Sequence, residues 1–209
     1  DGPSRRGGRP AAADRASMIR IARSLLAAAT LAASHADAAD SAGRFAVDGA
    51  GALDCARFAA AREEGGVGAA LFLGWIGGYA SGFNHFREDT FDVTPWQTVE
   101  LLALKLDGFC AARPEVRFVD AMNRLLAALD PQKLSEESEV VRLSHGEQAV
   151  FVYREMLARI RAALVEAGFP PADASPEALT DALARLQSMR GLAVSGLPDQ
   201  PTLNALFPR

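Results

Sequence analysis

Lysine is nearly absent from this chain: of 22 basic side chains only Lys105 and Lys133 are lysines, and arginine supplies the rest. Histidine is as sparse, with three in 209 residues, and cysteine occurs only at Cys55 and Cys110. There is no Gly-x-Ser-x-Gly elbow, no His-Glu-x-x-His and no glycine-rich phosphate loop behind a strand, so the commonest hydrolase, metalloprotease and nucleotide-binding signatures are missing. No basic stripe with interleaved aromatics appears, and the formal net charge is −4, which speaks against nucleic acid as a partner. What remains is an ordinary globular composition, 49% hydrophobic and 23% charged, in a length that fits one domain or two small ones.

The N-terminus reads as a targeting segment. "MIRIARSLLAAATLAASHADA" offers a start at Met18, a basic stretch with Arg20 and Arg23, an apolar run over 24–33, and a small-x-small end at Ala36-Asp37-Ala38. The apolar run is too short to span a bilayer permanently. Residues 1–38 are therefore expected to be leader and signal peptide, and the mature chain to be exported to the periplasm. Without the six Arg and three Asp of that segment, 16 basic and 23 acidic side chains remain, a net charge of −7. A nonspecific electrostatic grip on an anionic polymer or membrane is thereby excluded as a mechanism.

In an exported chain an even cysteine count argues for a disulfide, and Cys55 and Cys110 permit one intramolecular pairing. Closing a loop of that length stabilises by roughly 4 kcal/mol through chain entropy. No CxxC is present and no histidine lies near either thiol, so neither a metal nor any other cofactor is expected.

The surroundings are helical in pattern. "LDCARFAAAREE" sets Leu53, Phe58 and Ala61 near one face and stops at Gly65-Gly66. Residues 67–86 carry no Asp, Glu, Lys or Arg, and Gly74, Gly78 and Gly82 repeat at the four-residue spacing of close-packed membrane helices. With Trp75, Tyr79, Ser81 and Asn84 interspersed, the expectation is a buried helix of a water-soluble domain whose glycine face lets a neighbour approach, with no transmembrane span in the mature chain. "TPWQTVELLALKLDGFC" predicts a helix capped by Thr94, with Pro95 in its first turn, Gln97 closing a capping box, and Val99, Leu102 and Leu106 on the inner face. A fourth helix opens at Pro114 and buries Phe118, Met122, Leu125 and Leu129.

"DCARFAAA", "DVTPWQTVELLALKLDGFC" and "RPEVRFVDAMNRL" together resemble the HdeA-type periplasmic acid-stress proteins, small exported helical domains with one long-range Cys–Cys bridge. Periplasmic immunity proteins of type VI secretion share that architecture. The resemblance implies a four-helix disulfide-linked domain over 39–130. The following residues 131–147 are polar and mixed in charge, and read as a linker. "NHFREDTFD", with His85, Glu88, Asp89 and Asp92, is the densest polar cluster and reads as a capped loop between helices.

Beyond the linker, Val152, Met156, Ile160 and Leu164 recur every four residues. A second helix begins at Ser175-Pro176, carries Leu179, Leu183 and Leu186, and stops at Gly191. An extended piece and a Ser195-Gly196 turn lead to a last helix near Asp199, with Leu192, Val194, Leu203 and Leu206 needed for the core. "IRAALVEAGF", "LQSMRGL" and "VSGLPDQPTLNAL" resemble the peptidoglycan-binding module appended to bacterial wall enzymes. In place of that family's Asp-Gly-x-Phe-Gly turn stands "PPADASPEAL". The resemblance implies a three-helix module over 148–209, with Gln187, Gly191, Gly196, Asp199 and Thr202 as its peptidoglycan-binding candidates. The expected chain is thus all-α, in two small helical domains. It is expected to be non-catalytic, associated with the cell wall, and to present the helical domain to a periplasmic protein. A periplasmic chaperone or immunity-like role is the alternative, and a wall hydrolase the third reading.

Overall fold

The computed structural model describes Gly2, Asp40 and residues 42–208, so the leader and signal peptide expected over 1–38 lie outside the described residues except for Gly2. The chain divides into residues 1–46 and residues 47–209. In the first unit, the Asp40 carboxylate accepts from the backbone N–H groups of Arg44 and Ala42 at 2.8 and 2.9 Å and holds one turn. The N–H of Arg44, ahead of the others, keeps that carboxyl below the usual range.

The second unit is mostly helical, with seven α-helices and one hairpin among its described residues. A short 3-10 turn, Gly49–Ala52, leads into α1 (Cys55–Glu64), α2 (Gly66–Phe86), α3 (Val99–Ala112) and α4 (Phe118–Leu129). Asp54 caps α1 by accepting from the Arg57 N–H, and Gly65 ends it at φ 70°. Cys55 and Cys110 are bonded to each other and join α1 to α3, as expected. Around them Phe58, Phe72 and Phe118 meet with ring centroids 4.6 to 5.2 Å apart, and Leu102, Leu106, Met122, Leu126 and Leu129 complete the core.

Two helix starts differ from expectation. α3 begins at Val99, capped by Thr98, whose side chain accepts from the Leu101 N–H. Pro95, Trp96 and Gln97 lie before it, because Trp96 gains more by burial elsewhere than it would on an exposed first turn. α4 begins at Phe118, four residues after Pro114. The intervening residues instead serve α1: Cys55 and Ala56 donate their backbone N–H groups to the carbonyls of Val116 and Pro114 at 2.8 and 2.9 Å.

The expectation of an all-α chain is corrected by β1 (Val140–His145) and β2 (Gln148–Tyr153), antiparallel and paired from Val140↔Tyr153 to His145↔Gln148. The residues read as a linker supply the first of these strands. Gly146, at φ 59°, opens the two-residue turn, a position that favours glycine. Val141 and Leu143 pair with Val152 and Val150 on the inner face, and Phe151 points the other way, 74% exposed.

The rest is α5 (Arg154–Glu166), α6 (Pro176–Arg190) and α7 (Gln200–Leu206). Ser175 caps α6 by accepting from the Ala178 N–H, and Gly191 stops it in the left-handed region at φ 66°. Met156, Ile160, Leu164, Leu179, Leu183, Leu186, Leu197 and Leu203 form a second core, which also takes Leu143 and Trp96. Val194 is 60% exposed, contrary to its expected core role, because residues 192–195 run as an irregular segment over the surface. The two cores are joined by more than chain connectivity. Gln200 donates to the Trp96 carbonyl and accepts from the Thr98 N–H, and Arg159 donates to the carbonyls of Gln132 and Lys133.

Candidate functional site

Gln187 lies on the last turn of α6, faces inward and is fully buried. Its Nε2 donates toward Thr202 Oγ1 at 2.8 Å, the Leu197 carbonyl at 2.9 Å and Ser195 Oγ at 3.0 Å. Its Oε1 accepts from the Gly196 N–H at 2.8 Å. The two hydroxyls then donate to one carboxylate: Thr202 Oγ1 to Asp199 Oδ1 at 2.6 Å, and Ser195 Oγ to Asp199 Oδ2 at 3.0 Å. Asp199 Oδ1 also accepts from the Thr202 N–H and so caps α7. Both hydroxyls, of Ser195 and Thr202, donate to Asp199 and accept from Gln187, which fixes the direction of each.

Four of the five candidate residues are therefore brought together, and two of those four are buried completely. Gln187 and Thr202 expose no surface, and Gly196 is buried. Gly196 has no room for a side chain: an added Cβ would stand 2.4 Å from His145 Nδ1. His145, at the end of β1, donates from Nδ1 to the Ser195 carbonyl at 2.9 Å, so the hairpin lies across the loop. Gly191 stands apart, exposed, as the stop of α6. Replacing the solvent bonds of these groups with internal ones contributes roughly 1 kcal/mol per neutral bond and about twice that to the carboxylate. The immediate product of the constellation is a fixed loop.

Asp199, half-buried like Ser195, also reaches the surface. It borders a cleft of about 320 Å³ lined by Pro95, Trp96, the β2 residues Val150 to Val152, Pro198, Gln200 and Leu203. Its carboxylate uses three acceptor positions within the ring and retains one for an incoming donor. Trp96 and Phe151 bring aromatic surface to the cleft, and the sequence offered a sign only for Phe151, an apolar residue on the outer face of a strand. Trp96 gave none, since "TPWQT" reads locally as a helix start.

A larger concavity, about 710 Å³, lies between α1 and α2. Ala60, Ala61, Leu71 and Gly74 line it, together with Arg57 and Glu64. Elsewhere the polar cluster after α2 folds as a loop: Asp92 Oδ1 accepts from the Thr94 N–H at 2.9 Å, and Asn84 Oδ1 from the Val93 N–H at 2.9 Å. His85, Glu88 and Asp89 are exposed along it. No protein-family model matches this chain, and no curated protein and no solved structure matches it.

Proposed function

We propose that this is a non-catalytic exported protein that binds peptidoglycan through residues 148–209 and presents its disulfide-bonded helical part to a periplasmic partner. The observation that carries this reading is the cleft beside Asp199, held in shape by the Gln187 ring. Ligand sites are mostly apolar concavities with a few placed polar groups, and this cleft has apolar walls with one available carboxylate acceptor. Hydroxyl and amide donors, abundant on wall glycan and stem peptide, complement such an acceptor. In this reading Gln187, Gly196 and Thr202 shape the site without touching the ligand, and Asp199 and Phe151 make the contacts. The buried disulfide suits an oxidising compartment.

The test is co-sedimentation with purified sacculi, using the full chain because Trp96 belongs to the second core. The wild type is expected to pellet and Phe151→Ala, an exposed change, to remain in the supernatant. A wild type that stays in solution defeats the proposal.

The second reading, a periplasmic chaperone or immunity-like protein, draws on the groove between α1 and α2 and the apolar surface beside it. Leu53 and Leu71 there are 41% and 64% exposed. Protection of an aggregating client protein at low pH is the measurement that would favour it.

A further inference from the structure

The glycine face of α2, expected to be covered, stands open: a Cβ added at Gly74, Gly78 or Gly82 would meet nothing within 4 Å. An open helix face of small residues selects no occupant. The outer edge of β2 does, because a strand edge presents donors and acceptors in a fixed order.

The register says which groups these are. His145 and Gln148 close the two-residue turn, and beyond the other end Glu139 accepts from the Arg154 N–H at 2.8 Å. Hydrogen-bonded and non-hydrogen-bonded pairs alternate along an antiparallel ladder, so Val150 and Val152 bond to Leu143 and Val141. The backbone N–H and C=O groups of Ala149 and Phe151 therefore point away from β1. None of these four groups has a partner among the described residues, and both residues are exposed. Strand edges are commonly blunted by proline, lysine or a bulge, and this one carries alanine and phenylalanine instead.

The edge opens into the cleft beside Asp199. Val150, Phe151 and Val152 all line it, and since alternate side chains leave a strand on opposite faces, three in succession are reached together from the edge. Pro95 and Pro198, also in the lining, have no N–H to offer the Phe151 carbonyl. Trp96 lines the cleft too; it is 8% exposed, and its indole N–H has no acceptor among the described residues. Asp199 adds its remaining acceptor position.

An extended peptide complements this set. Its own N–H and C=O pair with Phe151, a further carbonyl accepts from the indole, and an amino group donates to the carboxylate. At about 320 Å³ the cleft is at the small end of ligand sites, and Val150, Val152 and Leu203 give it an apolar floor. An all-L strand would send alternate side chains into that floor. Where L and D residues alternate, the side chains of an extended backbone all leave on one face. The stem peptide of the wall, with a diamino acid followed by D-alanine, can so keep its long side chain on the open side. We infer that the stem peptide is the part of peptidoglycan bound, added in extended form as a third strand on the outer edge of β2. This rests on the proposed function, and the two can fail separately.

The experiment titrates the nitrogen-15-labelled full chain with the free stem tetrapeptide L-Ala-γ-D-Glu-diaminopimelate-D-Ala, and separately with peptide-free glycan strands. The tetrapeptide should shift the Phe151 amide resonance and slow its hydrogen exchange roughly tenfold or more, and the glycan should do neither. Phe151→Pro removes an outward N–H at a position where an edge strand tolerates proline. It should bind the tetrapeptide roughly tenfold more weakly than Phe151→Ala. Four results would overturn the inference: no tetrapeptide binding, binding that leaves Phe151 exchange unchanged, equal affinities of the two variants, or the same shifts with glycan. Equal affinity for the peptide built from L residues throughout would also overturn it and assign the edge to protein segments. Sacculi retained by a chain that ignores the tetrapeptide would sink the added strand and spare the wall reading. A chain that binds the tetrapeptide at Phe151 but not sacculi would do the reverse.

Discussion

The two cores of the second unit meet the same problem, too few residues to bury a large interior, by different means. The first, around α1 to α4, uses a covalent bond and a cluster of three phenylalanines. The second, around α5 to α7, has neither. Its buried interior is aliphatic but for Trp96, which comes from the segment before α3, and its connecting loop is held by hydrogen bonds with Gln187. The difference teaches that the C-terminal module is completed by its neighbour. A tail hung on a flexible linker would need no such loan, and Arg159, bonded to the carbonyls of Gln132 and Lys133, fastens the intervening segment as well.

Breaking the first core should have the largest effect. Replacing Cys55 and Cys110 by alanine releases a loop of 55 residues, and roughly 4 kcal/mol of stability should be lost in denaturant titration. Trp96→Ala tests the loan directly. Its side chain is 8% exposed in the second core, and its removal should cost roughly 3 kcal/mol. If the cores are coupled through Trp96, the unfolding of both should shift together when followed by circular dichroism and by the remaining Trp75. A shift confined to one transition would show that each core stands alone.

Gln187→Met keeps the volume and removes the ring's centre. The Gly196 N–H and the Thr202 hydroxyl then lose a buried partner, and about 2 kcal/mol should be lost. In the proposed function this variant loses sacculus binding in proportion to the loss of fold, whereas Phe151→Ala loses binding at unchanged stability.

How much of this could be read beforehand depended on the range of the interactions. The Ser175-Pro176 start of α6, its Gly191 stop and the Asp199 start of α7 are local, set by residues within one turn, and the sequence displays them. Cys55 and Cys110 have only each other. The destination of Trp96 could not be read, since a capping pattern surrounds it and the core that claims it is built from residues far along the chain. The hairpin was half legible: Val141, Leu143, Val150 and Val152 alternate about a glycine turn, but the preceding acidic run makes the stretch look like a solvated connection. Gln187 and Thr202 were legible as a pair of residue types in the right order, while their burial depends on a loop folding back under His145. The spacing of Gly74, Gly78 and Gly82 was plain, and only the fold could say which way it faces.

The glycines sharpen the comparison at smaller scale. Gly78→Ala in dilute solution should raise stability by about 1 kcal/mol, since the new methyl meets nothing within 4 Å. Gly51→Ala should do the opposite, because its Cβ would fall 2.0 Å from the Trp75 ring, and Trp75 is held by a bond from its indole N–H to the Asp48 carbonyl.

The smallest expected effect compares one tyrosine from each core. Tyr79 donates to Asn123 Oδ1 at 2.6 Å, and burial, with the charge of Asp120, raises its pKa above the ordinary 10.0. Tyr153 is raised chiefly by burial and then by the charge of Asp92 and a hydrogen bond with it. In both, the folded state favours the neutral phenol, so the unfolded chain loses its proton first as pH rises. The stabilisation is whole below pH 10.0 and fades as pH climbs through the raised folded values. Denaturant titrations across that alkaline range should show stability falling in the wild type. The fall should be shallower in Tyr79→Phe and in Tyr153→Phe, and shallowest in the double variant. Equal slopes in all four would mean that neither phenol is held neutral by its core.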